Sequence, residues 1–355
     1  MNRIDRLRTK MKEEGLDALI VSSEINQRYL SRYPFTDGLL LITLQRAELL
    51  TDFRYAEDAE KKADPRFTVV TPDDRFGHIG EFFAAECVKT VGYESKTLSC
   101  DEFERTRRDL PGFDFVGIGN MIEVLREIKD DGELEEIARA QDIADAALAL
   151  LLNVIKPEMT EIEVALELEF FMRRKGAEGV AFETIAVSGS ASSLPHGRPR
   201  NVKLQKGFLT LDFGALYNGY CSDMTRTFSV GTADPEMKKL YNTVLKAQTE
   251  ALAYLKEGAG CLEADRIARV IIDAEPAYKG TFGHSLGHGV GLFIHESPRL
   301  SPKSGGKLVS GNVVTVEPGI YLKGKYGCRI EDMVVITPDG IRNFAHSPKE
   351  LCELF

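Results

Sequence analysis

Four carboxylates in two similar settings are the residues of this chain best placed to do chemistry. In TLDFGALYNGYCSD, residues 210–223, an apolar run carries Asp212, and Asp223 follows 11 residues later. In TVEPGIYLKGKYGCRIED, residues 315–332, Glu317 and Glu331 stand 14 residues apart. Each stretch opens Thr, apolar, acid, any residue, Gly: Thr210, Asp212, Gly214 and Thr315, Glu317, Gly319. A tyrosine (Tyr217, Tyr321) and a cysteine follow in each. Glu317 follows Asp212 by 105 residues and Glu331 follows Asp223 by 108, so the second stretch is expected to form a hairpin with a turn three residues longer. Taken singly, an acid in an apolar strand reads as a turn cap or as the partner of a buried arginine, because an unpaired buried charge is costly. Taken together, two copies of a two-acid hairpin read as a duplicated unit whose acids converge on one site. Four carboxylates cannot share a dry site without cations, because like charges force protonation. A metal cluster is the simplest resolution.

The histidines point the same way. Four of the six, His196, His284, His288 and His295, lie in segments that feed the hairpins. A lone histidine is ordinarily a satisfied core or surface residue, and His78 is read so. The segment GHSLGHGVGLFIHE places three within twelve residues, among glycines that permit close backbone approach. Oxygen-rich ligands with one imidazole suit Mn(II), Co(II), Fe(II) or Zn(II) rather than a thiolate-preferring ion. Two such ions would bring a shared water to lose its proton near pH ~7 and would polarise a carbonyl. A neighbouring carboxylate can pass a proton to a leaving nitrogen. Arg329 stands two residues before Glu331 and shares its strand face. It is expected to combine neutralisation of the acids with a bidentate clamp on a substrate carboxylate.

The elements that must position these residues repeat in order. Residues 1–123 read as a smaller α/β domain, with an opening helix and strands over 16–21, 38–43, 47–51, 90–93 and 113–118. Helices are expected over 55–62 and 79–87. Residues 120–129 are expected to link it to a second domain over 124–355. There a helix over 133–155 ends at Pro157, and the capping box from Thr160 to Glu163 opens another, to about 175. A strand over 181–188, a loop bearing His196 and the first acidic hairpin follow. Asp234-Pro235 opens the next helix, to about 257. A helix over 262–274, the histidine segment and the second hairpin complete the repeat. This order predicts a pseudo-two-fold α/β domain with its helices on one side of a curved sheet.

Composition excludes several classes. The net charge of −10 and the lack of a basic run argue against a nucleic-acid surface. No stretch approaches the ~20 apolar residues of a membrane span. The opening MNRIDRLRTKMKEEG is a charged amphipathic helix, not a signal peptide. Six cysteines without a Cys-x-x-Cys are expected to be reduced thiols of a cytoplasmic protein. Cys221 and Cys328 are read as packing residues, not ligands.

The set Asp212, Asp223, GHSLGHGVGL with His288, TVEPG with Glu317 and CRIED with Glu331 resembles the pita-bread-fold metallopeptidases, which include methionine aminopeptidase, aminopeptidase P and prolidase. The resemblance covers residues 125–355. It implies that Asp212, Asp223, His288, Glu317 and Glu331 hold two divalent ions per subunit, Mn or Co ahead of Zn or Fe. It implies that Glu317 shuttles a proton, and that His196 and His295 contact substrate and stabilise the tetrahedral intermediate. His284 resembles a histidine lining the pocket for the residue after the scissile bond. The separate N-terminal domain, with NQRYLSRY and LLTDFRYAEDA, the segment REIKDDGELEEI and GCRIED are similar to the proline-specific branch. Creatinase shares the two-domain fold but lacks these ligands. The activity implied is hydrolysis of an Xaa-Pro bond, either by an Xaa-Pro dipeptidase (prolidase) or by aminopeptidase P on longer peptides. A homodimer whose partner N-domain reaches the active site is also implied. The rival from another class is a binding protein that kept the fold without catalysis. Such relatives lose ligands, and here all five are present.

Overall fold

Period-two alternation decides which way the acids point. In the computed structural model, which describes residues 2–355, the strand Gly207–Phe213 packs Leu209, Leu211 and Phe213 into one apolar cluster with Leu148, Leu151 and Leu168 of two helices. Thr210 and Asp212 therefore face the opposite way. The strand Val313–Val316 repeats this, with Val314 and Val316 packed against Leu240 and Val244 and with Thr315 on the other face. Burying each such aliphatic side chain contributes roughly 1.5–3 kcal/mol. A slip of one residue would send the apolar set to the acidic face, so the register is strongly fixed.

The structure divides into two compact units after Arg126. The second unit holds two half-units of the same order. The first has the helices Asp131–Val154 and Glu161–Arg174 and a four-stranded sheet ordered Glu353–Leu354, Met224–Val230, Gly207–Phe213, Ile185–Ser188. The second has the helices Pro235–Tyr254 and Cys261–Asp273 and a five-stranded sheet ordered Glu296–Leu300, Gly287–Gly289, Val313–Val316, Asp332–Thr337, Gly340–Asn343. The single curved sheet expected from sequence is thus two sheets, bridged where the Glu331 N–H donates to the Thr225 carbonyl at 3.2 Å. Both capping signals act as anticipated. Thr160 and Glu163 form a reciprocal capping box, and Asp234 caps a helix with Pro235 in its first turn.

Between the paired strands of each half stands a short ribbon. Tyr217 pairs with Tyr220 across Asn218-Gly219 in the first. Leu322 pairs with Tyr326 across three residues in the second. The three extra residues are therefore not all in the turn, as expected from spacing. One lengthens the turn and two lengthen the return to Glu331. The strand expected over 181–188 is also shorter. Gly179–Val180 and Ile185–Ser188 are separate, because the first pairs with the ribbon and the second with Gly207–Phe213.

The first unit is a six-stranded sheet ordered Thr68–Val70, Ala47–Leu50, Leu39–Thr43, Ala18–Val21, Thr90–Tyr93, Asp114–Gly117. Its core gathers Ile20, Leu41, Phe83 and Val91. His78 is not alone: its Nε2 lies 2.7 Å from the buried Glu48 carboxylate. Within the link expected over 120–129 stands the helix Met121–Arg126, with Ile122 and Leu125 buried. Among the described residues no helix is long and apolar enough to cross a membrane.

Candidate metal centre and active site

The duplicated strands deliver the acids to one place. Asp212 lies in Gly207–Phe213, and Asp223 immediately precedes Met224–Val230. Glu317 follows Val313–Val316, and Glu331 precedes Asp332–Thr337. His288 enters from Gly287–Gly289, whose glycines are a steric requirement. A Cβ at Gly287 would overlap the Thr315 carbonyl oxygen, and one at Gly289 the Ser297 carbonyl oxygen. Ligand atoms of Asp223, His288 and Glu331 lie within 4.8 Å of one another, all three residues buried. His288 Nε2 stands 3.5 Å from Asp223 Oδ2 and 3.4 Å from Glu317 Oε1. Its Nδ1 is 3.0 Å from the Gly289 carbonyl. Nδ1 therefore carries the proton, and the Nε2 lone pair faces the acids.

Neighbours that sequence reading passed over hold these groups. Thr225 Oγ1 donates to Glu331 Oε2 at 2.6 Å. Thr315 Oγ1 contacts Glu317 Oε1 at 3.3 Å and accepts the His288 N–H at 3.1 Å. Both threonines sit two residues from an acid, so period two was the signal that could have found them. Arg329 donates from Nη2 to Asp212 Oδ2 at 2.6 Å, from Nη1 to Tyr321 Oη at 2.6 Å and to the Pro195 carbonyl at 3.2 Å, and from Nε to Thr225 Oγ1 at 3.1 Å. Four of its five N–H groups are spent on the protein, which favours neutralisation of the acids over a substrate clamp. Tyr321 marked the repeat in the sequence but has a distinct place here. Its hydroxyl lies 2.9 Å from His284 Nε2, while His284 Nδ1 faces the Ser285 carbonyl at 2.9 Å. The carbonyl takes the Nδ1 proton, so Tyr321 donates to Nε2 and accepts from Arg329. Tyr217 stands five residues after Asp212 and Tyr321 four after Glu317, so the two are one residue out of register, and Tyr217 packs beside the first apolar cluster.

Burial sets the protonation of the site. It pushes the Glu317 carboxyl up to about 8. Burial, with Asp212 and Glu317 close by, holds Asp223 well above the usual carboxylate range, and burial with Asp223 and Glu317 does the same to Glu331. It lowers His284 and His288 to about 4, so both imidazoles are neutral near pH 7. Asp212 Oδ1 is buried with no hydrogen-bond partner. An unsatisfied carboxylate oxygen among like charges and a neutral imidazole is a donor set that fits divalent cations.

A cavity of about 1070 Å³ opens onto this set. The structure brings every residue singled out from sequence to its wall: Asp212, Asp223, His288, Glu317 and Glu331 with His196, His284, His295 and Arg329. His196 and His295 are exposed on it, and the His295 ring meets His288 edge-on at 4.5 Å. An apolar flank of Ile162, Leu166 and Phe182 completes the wall.

The family model of metallopeptidase family M24 matches residues 135–338. The chain belongs to metallopeptidase family M24. In this M24 peptidase, residues 3–128 match the creatinase/prolidase N-terminal domain. The enzyme is 37% identical to an Xaa-Pro dipeptidase of Pyrococcus horikoshii over 344 residues, 96% of each chain. Its structure superposes on an Xaa-Pro dipeptidase from Bacillus anthracis with a TM-score of 0.95 at 40% identity, covering 99% of both chains. An X-Pro aminopeptidase from Thermotoga maritima gives 0.93 at 36% identity, covering 99% of this chain and all of that one. The metallopeptidase has the pita-bread fold with a smaller N-terminal domain.

Proposed function

We propose that this M24 peptidase hydrolyses the Xaa-Pro bond of dipeptides, with two divalent ions held by Asp212, Asp223, His288, Glu317 and Glu331. The observation that carries the reading is the convergence of these five on one cavity wall, with Asp212 Oδ1 buried and unpartnered. Full-length relatives named as Xaa-Pro dipeptidases support the specificity. Bound ions would supply a water of lowered pKa and polarise the scissile carbonyl. Mn(II) and Co(II) suit this oxygen-rich set. Arg329 holds Asp212 and, through Tyr321, His284. Glu317 carries a proton to the leaving proline nitrogen. His196 and His295 contact the peptide from the exposed side of the cavity. Free thiols, three of them exposed, suit the reducing cytoplasm. A homodimer belongs to the same reading, and sedimentation of the full chain tests it.

A second reading, an aminopeptidase for longer peptides, draws on the likeness to the Thermotoga maritima X-Pro aminopeptidase. Metal-free enzyme reconstituted with Mn(II) or Co(II) separates the two. Cleavage of Met-Pro supports the dipeptidase. Cleavage of Xaa-Pro-Pro-Xaa peptides alone replaces it with the aminopeptidase, and cleavage of neither removes both. Glu317→Ala is expected to lose at least ~100-fold in kcat with an unchanged fold. Substantial residual turnover would refute the role given to Glu317.

A further inference from the structure

A buried carboxylate and an arginine hold the segment that carries His284. Asp265, on the helix Cys261–Asp273, is 1% exposed. It accepts the Leu286 N–H at 3.0 Å and, at 2.9 Å each, the Nε and Nη2 of Arg269 one helical turn on. Arg269 also donates to the carbonyls of Phe282 at 2.6 Å and His284 at 2.9 Å. Its guanidinium lies over the Phe282 ring at 4.3 Å, and that ring meets His284 edge-on at 5.0 Å. The Leu286 carbonyl in turn accepts the Glu317 N–H at 2.8 Å. One carboxylate thus ties together the backbones of His284 and Glu317.

The first half repeats the device with different residues. Glu161, 0% exposed at the start of its helix, accepts the Ser188 N–H at 2.7 Å and the Arg200 guanidinium at 2.8 and 2.6 Å. Arg200 flanks the loop that carries His196. The places differ, since Glu161 opens its helix and grips the end of a strand, whereas Asp265 lies one turn into its helix and grips the segment before a strand. Neither Asp265 nor Arg269 lines the cavity.

We infer that Asp265, acting through Arg269, is a positioning residue that sets His284 and Glu317 relative to one another. The inference rests on the proposed proton-carrying role of Glu317. Misplacing a reacting group by about 1 Å costs on the order of 100-fold in rate. The test pairs Asp265→Asn, which keeps the size and one acceptor but removes the ion pair, with Arg269→Lys, whose ammonium cannot span both carbonyls. Each is expected to lower kcat on Met-Pro with Mn(II) about tenfold or more, with KM moving less than about twofold. The double variant is expected to be no worse than the worse single, because both act through one segment. In the metal-free protein the His284 imidazole ¹⁵N shifts, which report its bond to Tyr321, are expected to move in both variants. Wild-type kcat, or an unmoved His284 resonance, overturns the inference, the latter even if kcat falls. If Asp265→Asn does not fold, Arg269→Lys carries the same outcomes alone. If the wild-type enzyme cleaves neither Met-Pro nor Xaa-Pro-Pro-Xaa, the Xaa-Pro reading fails, and the His284 resonance alone decides the positioning.

Discussion

Arg329 is nearly satisfied by the protein that surrounds it, and this shapes what the neighbouring residues can do. Its guanidinium fixes Asp212 Oδ2 and the Tyr321 hydroxyl, and Tyr321 passes the polarity on to His284 Nε2. Tyr321 is held up to about 12 by burial, so it stays a donor across the working range. Tyr321→Phe removes that donor while keeping the ring. It leaves His284 Nε2 without its donor and one Arg329 N–H unpaired, a cost of about 1–3 kcal/mol in a buried setting. We expect a lower denaturant midpoint and a kcat reduced roughly tenfold. A variant matching wild type in both measures would exclude the relay. The sequence displayed Tyr321 only as a repeat marker, although its spacing of four residues from Glu317, against five from Asp212 to Tyr217, turns the two side chains to opposite strand faces.

At the scale of elements, the internal duplication explains both what was legible and what was hidden. Four of the five candidate ligands stood out because two copies of one acidic hairpin occur in order, and His288 because it lies in a glycine-flanked cluster of histidines. Helix starts stood out where Thr160, Glu163, Asp234 and Pro235 carry capping chemistry. The helix Cys100–Asp109 escaped notice because it buries no residue, and so has no apolar stripe to read. Asp265 and Arg269 escaped because an acid and an arginine four apart on a helix read as a solvated surface pair. The copies are not equal. With Thr210 aligned to Thr315, the strand registers place Val187, in an apolar cluster, where the second half has His288. The imidazole therefore enters from one half alone, on a strand that tolerates no side chain beside it. Gly287→Ala forces a methyl into the Thr315 carbonyl oxygen, which must shift together with Glu317. We expect destabilisation beyond about 2 kcal/mol in urea and weaker Mn(II) binding by calorimetry. Unchanged values in both would show that the close approach is not required.

At the scale of the molecule, the metal centre is a concentration of buried charge that the rest of the second unit must tolerate. Behind it Asp332 faces away from the cavity and is answered by Arg226, Lys349, Gln248 and Asn343. Burial works against its ionisation, yet Arg226 and Lys349 hold it below the usual carboxylate range. The acids on the cavity side have no such complement of donors. Without ions, burial holds the carboxyl of Glu317 near 8, and those of Asp223 and Glu331 well above their ordinary values. The sign follows. Between an unfolded value of about 4.3 and the folded value, the folded chain binds more protons than the unfolded one. The stability of the metal-free protein therefore falls as pH rises through that window. Each such group contributes up to about 1.4 kcal/mol per pH unit. Metal ligands must be deprotonated to bind, so the ions recover this loss increasingly toward higher pH. Urea midpoints of chelator-treated enzyme at pH 5 to 8, with and without saturating Mn(II), measure it. The gap between the two curves is expected to widen with pH. A gap that is constant or narrows would mean that these acids are not the groups that take up the ions.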